Sequence, residues 1–225
     1  MEKAVVLLSG GLDSTVCMSV AQKQGYELYP ISFLYGQRHS REIECAKKVA
    51  EYYQVKKHLI ITTNMDSIGG SALTANIDVP EGDENRSEIP VTYVPARNLI
   101  FLSYALGYAE VIGAEKIFIG VNAVDYSGYP DCRPEFIERF QQLADYSTKA
   151  ATQDKREIKI EAPLLNLTKA EIVKLGVANK APLELTTSCY RGGEKACGRC
   201  DSCLLRLKGF KEAGLKDPIP YEGLL

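Results

Sequence analysis

The stretch Ala4-Val5-Val6-Leu7-Leu8-Ser9-Gly10-Gly11-Leu12-Asp13-Ser14-Thr15 decides the architecture. Its aliphatic run, Ala4–Leu8, reads as a buried strand, and Val16–Gln22 beyond the glycines reads as helix. A strand, a tight glycine turn and a helix N-terminus together make an anion site. Backbone N–H groups point outward, the helix dipole favours negative charge, and glycine lets a phosphate approach the backbone. The hydroxyls of Ser9, Ser14 and Thr15 add donors. The turn carries no Lys, so it is not the GxxxxGK[ST] loop, and it does not match GxGxxG. A bare turn with an Asp or Ser helix cap is the plainer alternative; the complete string, set between strand and helix, favours phosphate.

Outward from this turn the chain alternates. Tyr29–Leu34, His58–Ile61, Lys116–Gly120 and Ile158–Ala162 read as further strands, and Ser14–Gln24, Arg41–Tyr53, Arg97–Ile112 and Pro134–Thr148 read as helices. Short aliphatic strands alternating with helices indicate an α/β fold: a doubly wound, parallel, five-stranded sheet covered on both faces. This nucleotide-binding domain is expected to span 1–165. From 166 to 225 we expect a small, helical, zinc-binding appendage, opened by the capping box Thr168-Lys169-Ala170-Glu171 and containing a basic amphipathic stretch, Leu204–Lys211. Between the third strand and third helix, Asn76–Pro90 is polar and acidic; it reads as an exposed loop, either a lid or a plain surface excursion.

At 225 residues, 45% hydrophobic and 25% charged, the chain is an ordinary globular sequence able to bury a core without disulfides. Lys and Arg number 27 against 29 Asp and Glu, a net charge of −2, which gives no electrostatic reason to expect a nucleic-acid partner. No apolar run approaches the roughly 20 residues needed to span a bilayer, and Ala4–Leu8 is too short for a signal segment. A cytoplasmic protein without a membrane partner is the expectation. A homodimer is expected only because two-fold dimers are the commonest oligomers.

Cys189, Cys197, Cys200 and Cys203 follow the spacing C-x7-C-x2-C-x2-C. In a reducing compartment such clustering indicates metal rather than disulfides. Four thiolates complete a tetrahedral shell, which suits structural Zn²⁺ and leaves no open position; an iron–sulfur cluster is the chemical rival. Arg191, Lys195, Arg199 and Arg206 are close enough in sequence to offset the negative charge. Cys17 and Cys45 read as small hydrophobes.

Two other loops carry chemistry. Gly120–Pro134 follows a strand and combines Asn122, Asp125, Tyr126, Tyr129, Asp131, Cys132 and Arg133, a mixture suited to a small polar heterocycle; the alternative is a polar turn whose aspartates cap the next helix. Arg97, in Val94-Pro95-Ala96-Arg97-Asn98, stands at a helix start, well placed for a phosphate or a carboxylate. Tyr35–His39 ends the second strand and borders the expected nucleotide, whereas His58 reads as structural.

Ser-Gly-Gly-Leu-Asp-Ser resembles the pyrophosphate loop of the ATP pyrophosphatases, which cleave ATP between the α- and β-phosphates and adenylate a substrate oxygen. The resemblance implies that Leu8, Ser9, Gly10, Gly11, Leu12, Asp13, Ser14 and Thr15 hold ATP, with Asp13 helping to hold Mg²⁺ or capping the helix. Together with the cysteine spacing, the Gly120–Phe136 loop, Phe33–His39, Val94–Leu102, Pro163–Glu171 and Thr186–Arg206, it extends over nearly the whole chain and is similar to the 7-cyano-7-deazaguanine synthase family of the queuosine precursor pathway. That likeness implies 7-carboxy-7-deazaguanine, ammonia and ATP as substrates, with Asp13, Ser14, Arg97, Asp125 and Asp131 as catalytic candidates. Two rivals are a tRNA-thiolating enzyme of the same superfamily, with Cys132 carrying sulfur, and a catalytically idle nucleotide-binding domain bearing a zinc interaction module.

Overall fold

The expected strands form: β1 (Lys3–Leu7), β2 (Glu27–Leu34), β3 (Leu59–Thr62), β4 (Lys116–Phe118) and β5 (Lys159–Glu161) pair in parallel in the order β3-β2-β1-β4-β5. The computed structural model describes residues 1–37, 40–75, 77–82, 88–124 and 129–223. Side chains along β1 alternate between two cores, as the period of two in a strand requires. Val5 and Leu7 join Ile31, Phe33 and Ile117 on one face, beneath α3 (Arg97–Ile112) and α4 (Pro134–Ser147). Ala4, Val6 and Leu8 join Phe118 on the other, beneath α1 (Leu12–Lys23), α2 (Arg41–Tyr52) and α6 (Lys169–Ala178). A strand buried on both faces must be aliphatic throughout, which is why β1 reads as a continuous hydrophobic run.

Strand order reverses between β1 and β4, so the connections leaving them diverge and open a crevice at their carboxyl ends. α1 begins two residues earlier than expected, because Gly11 is extended (φ −82°, ψ 168°) and acts as the N-cap without a side-chain bond. Asp13 therefore lies in the first helical turn and does not cap it. Thr168 and Glu171 form the expected reciprocal capping box at the start of α6. Thr148 is extended, ends α4 and caps the four-residue α5 (Lys149–Thr152).

In the C-terminal region, α6 and Phe210 of α7 (Asp201–Glu212) share the sheet's second core, whereas the four cysteines form a separate buried cluster with Ala196 and Tyr221. Described residues 77–82 of the expected lid lie against this cluster. Val79 packs on it, Gly82 N–H donates to the Arg199 carbonyl at 2.9 Å, and Glu81 pairs with Arg191 at 2.9 Å and Arg199 at 3.5 Å. Neither a free lid nor an uncommitted surface loop describes that part of the segment. Among the described residues no helix is long and apolar enough to cross a membrane.

Arg206 ties the region together. It is 1% exposed, donates to both Asp217 carboxylate oxygens at 2.7 and 2.9 Å, and reaches the Thr186 hydroxyl at 2.7 Å. Asp217 also accepts from the Tyr221 hydroxyl at 2.6 Å. Removing one member of a buried pair strands the other charge, so Asp217→Ala is expected to cost about 3–5 kcal/mol in urea-induced unfolding.

Candidate active site

The crevice between β1 and β4 holds a cavity of ≈ 290 Å³. The glycine turn forms one end. Gly10 has φ +85°, and a Cβ there would sit 2.2 Å from the Glu42 carbonyl oxygen, so only glycine lets the turn press against α2. Gly120, just beyond β4, lies equally close to α1: a Cβ would come within 3.0 Å of the Asp13 carbonyl. These two close approaches bring the turn, α1 and the β4 loop around one space. The Ser14 hydroxyl donates to the Gly11 carbonyl at 3.1 Å and accepts from Ser9 N–H at 3.2 Å, and the two serine hydroxyls lie 3.0 Å apart. Serine here shapes the anion turn as well as facing the cavity. Leu8, Ser9, Gly11, Leu12, Asp13 and Ser14 line it. Thr15 is fully buried and lies off the lining, so its hydroxyl is no donor to the cavity in this conformation.

Sequence reading missed Lys169. This first residue of α6 donates from Nζ to both Asp13 carboxylate oxygens, at 2.9 and 2.7 Å, and both side chains line the cavity. Its only signal in the sequence is the capping box, which places a Lys at a helix start but cannot show that α6 crosses α1.

The opposite end is aromatic. Phe33 stacks on Phe101 with centroids 3.9 Å apart, and Tyr35 meets Phe101 edge-on at 5.5 Å. Arg97 sits here as expected, its guanidinium 5.9 Å from the Tyr35 ring centre and 3.5 Å from that hydroxyl. Ala96, in the left-handed conformation (φ 55°), turns the chain so that α3 starts with Arg97 facing this space. Tyr129 lines the same end, with its hydroxyl 3.2 Å from that of Thr92.

Asp131 does not. It is buried, off the cavity lining, and accepts the Asn98 backbone N–H at 2.9 Å, which caps α3 from a distant loop. It positions Arg97 rather than touching a ligand, and Asp131→Ala is expected to cost about 1–2 kcal/mol of stability, read by thermal unfolding, as for other lost helix caps. Asp125 and Tyr126, like His39, lie outside the described residues. Cys132 lines the cavity, but burial, with Asp131 beside it, pushes its thiol up to about 12, so it is protonated at neutral pH. His58 is structural as expected: its Nε2 lies 2.7 Å from the Ser32 hydroxyl, and burial lowers its pKa.

The cavity thus has the glycine turn at one end and an aromatic, guanidinium-bearing wall at the other. Residues 3–214 match the family described as "Queuosine biosynthesis protein QueC". The chain belongs to this family. It is 67% identical over 222 residues to 7-cyano-7-deazaguanine synthase 2 of Desulfitobacterium hafniense, covering 98% of this chain and 94% of that one. It is 65% identical to the 7-cyano-7-deazaguanine synthase of Acetivibrio thermocellus, covering 98% of each. A solved structure of NMN synthetase from Francisella tularensis shares the fold, with a TM-score of 0.51 at 17% identity over 96% of this chain and 78% of that one.

In this member of the family, the four cysteine sulfurs lie within 4.8 Å of one another, and all four residues are buried. That spacing fits a tetrahedral metal shell. Cys189 Sγ accepts from the N–H groups of Arg191 and Cys197, both at 3.4 Å, the backbone pattern that supports thiolate charge. Three of the four basic side chains expected to offset this charge are engaged elsewhere, Arg191 and Arg199 by Glu81 and Arg206 by Asp217, leaving Lys195. Backbone N–H groups supply part of that role instead. The cluster also adjoins the cavity, because Thr187, Ser188 and Tyr190 beside Cys189 form part of its wall.

Proposed function

We propose that this chain converts 7-carboxy-7-deazaguanine, ammonia and ATP into 7-cyano-7-deazaguanine, releasing AMP and pyrophosphate. The single observation that carries the reading is the two-ended cavity of a chain in this family. One end, Ser9–Ser14 with Lys169, is built for phosphate, and the other, Tyr35, Arg97 and Phe101, for a flat, polar heterocycle. A carboxylate is a poor electrophile because oxide leaves badly. Attack of its oxygen on the α-phosphate expels pyrophosphate into the anion turn and leaves AMP as a good leaving group. Ammonia then forms the C–N bond as the C–O bond to AMP breaks, giving the amide. A second adenylation, on the amide oxygen, followed by loss of AMP and a proton, gives the nitrile. The chain's own residues act by positioning and by stabilising phosphate charge. Arg97 orients the carboxylated base, and the Asp13–Lys169 pair faces the pyrophosphate.

Asp13, held by Lys169, is the carboxylate that would face a Mg²⁺ entering with ATP, which would neutralise phosphate charge there. Zn²⁺ held by Cys189, Cys197, Cys200 and Cys203 supplies stability and no reaction step, since four thiolates leave no open position. We assign a homodimer acting in the cytoplasm, without nucleic acid, in keeping with a net charge of −2. A sulfur-carrying role is disfavoured by the burial of Cys132.

Mass spectrometry of the products from enzyme, ATP, ammonium and the carboxylated base tests the proposal. A mass matching the nitrile, with AMP, supports it. ATP bound without turnover leaves the idle interaction module, and sulfur appearing in RNA leaves the thiolating enzyme.

A further inference from the structure

Beside the main cavity lies a smaller one of ≈ 20 Å³, opening between α2 and the cysteine loop. Tyr35, Glu42, Leu73 and Tyr190 line both, and Gln37, Arg41, Cys189 and Gly192 complete the smaller one. A space of roughly 10–15 Å³ on this measure holds one water-sized molecule, so the side cavity has room for a single small species.

Glu42 is the feature that gives this space a chemistry. It lies in the first turn of α2, half-buried. Two acidic side chains line the main cavity among the described residues, Asp13 and Glu42. Asp13 is held by Lys169, whereas Glu42 accepts no hydrogen bond and makes no ion pair with any described residue. Two cations face it. Arg97, across the main cavity, reaches only the Tyr35 hydroxyl, at 3.5 Å. Arg41, from its own helix, is directed to Glu44 at 3.8 Å and to the Glu194 carbonyl at 3.5 Å. Burial raises the pKa of Glu42, with Arg97 opposing that shift. A carboxylate left without a donor in a narrow, partly desolvated passage costs free energy unless a ligand supplies the donor. Tyr35 and Tyr190 line the same space on the side of both cavities.

We propose that the side cavity is the ammonium port of this enzyme: Glu42, on the wall that the two cavities share with Tyr35 and Tyr190, binds NH₄⁺. This deepens the proposed function and rests on it for the identity of the reaction. On crossing, the ion leaves one proton on the Glu42 carboxylate and enters the main cavity as NH₃, its lone pair free for the acyl carbon. Glu42 returns that proton to solvent through the side cavity.

The test separates ammonium use from adenylation. Carboxylate-dependent ATP–pyrophosphate exchange, run without ammonium, reads adenylation alone; kcat/KM for ammonium reads the port. Glu42→Gln is expected to lower kcat/KM for ammonium roughly ten- to hundredfold, the worth of one charge-assisted hydrogen bond. The exchange rate and the KM for ATP and for the carboxylated base are expected to change less than about threefold. Glu42→Asp, which keeps the charge, is expected to recover part of the loss. Broadening of the ¹⁵NH₄⁺ resonance by the nucleotide-free protein, lost in Glu42→Gln, reads binding without turnover. Unchanged kcat/KM for ammonium, or a loss of exchange equal to the loss of ammonium use, overturns the port. Absence of exchange in the parent enzyme overturns the proposed function instead, and the ¹⁵N measurement then still decides whether Glu42 binds ammonium.

Discussion

Replacing Lys169 with Met is expected to slow AMP release by a factor on the order of 10²–10³, the scale seen when one preorganised charge at a reacting centre is removed. Its Nζ holds both oxygens of Asp13, and the pair faces the cavity beside the Ser9 and Ser14 hydroxyls. Without the ammonium group, Asp13 stands as an unpaired negative charge at the position proposed for the departing pyrophosphate. The variant therefore loses attraction and gains repulsion at once. Asp13→Ala is expected to cost about 10² or more, and the double variant no more than the worse single one, because the two act as a unit. Stability is the control. The side chains are 29% and 13% exposed, and a partly solvated pair contributes only about 0–1 kcal/mol. Thermal unfolding should thus move little while turnover collapses. Turnover within threefold of the parent would reduce the pair to a strut between α1 and α6.

Stripping metal from the cysteine cluster, or making Cys200→Ser, is expected to lower the melting temperature by more than about 10 °C and to promote aggregation. Structural Zn²⁺ contributes of order 10 kcal/mol or more in small peptides, and here it would order a segment with few large side chains of its own. That segment carries more than itself. Val79 packs on the cysteines, Arg206 links Thr186 to Asp217, and Tyr190 stands on the cavity wall. Activity is therefore expected to fall faster than the folded fraction, since Tyr190 loses its position before the sheet unfolds. Elemental analysis of protein made without metal-affinity purification should find one Zn²⁺ per chain in a colourless sample. Stoichiometric iron, or a metal-free protein of unchanged melting temperature, would refute structural zinc.

Much of this molecule is legible along the chain because the relevant physics is local. Ala4–Leu8 must be a doubly buried strand because every residue in it is aliphatic, and the chain turns before Ser14 because Gly10 takes a left-handed backbone that glycine alone adopts at little cost. The capping box at Thr168 and the cysteine spacing are equally local, since each depends on residues within one helical turn or one metal shell. The errors occur where a side chain's partner is remote. Asp131 reads as a substrate ligand until α3 is seen to begin at its carboxylate, and Arg191 and Arg199 read as counter-ions to the thiolates until Glu81 takes them.

The sequence by itself determines an α/β sheet with a glycine turn after its first strand and a four-cysteine cluster near its end. Tertiary structure alone decides which charges are spoken for. Asp13 meets Lys169 from 156 residues away, Arg206 is consumed by Asp217, and Glu42 faces two cavities with no donor among the described residues. The physical reason is range. Backbone propensity and metal spacing act over a few residues and are written in order along the chain, whereas a Coulombic pair or a desolvated carboxylate depends on distances that exist only once helices cross.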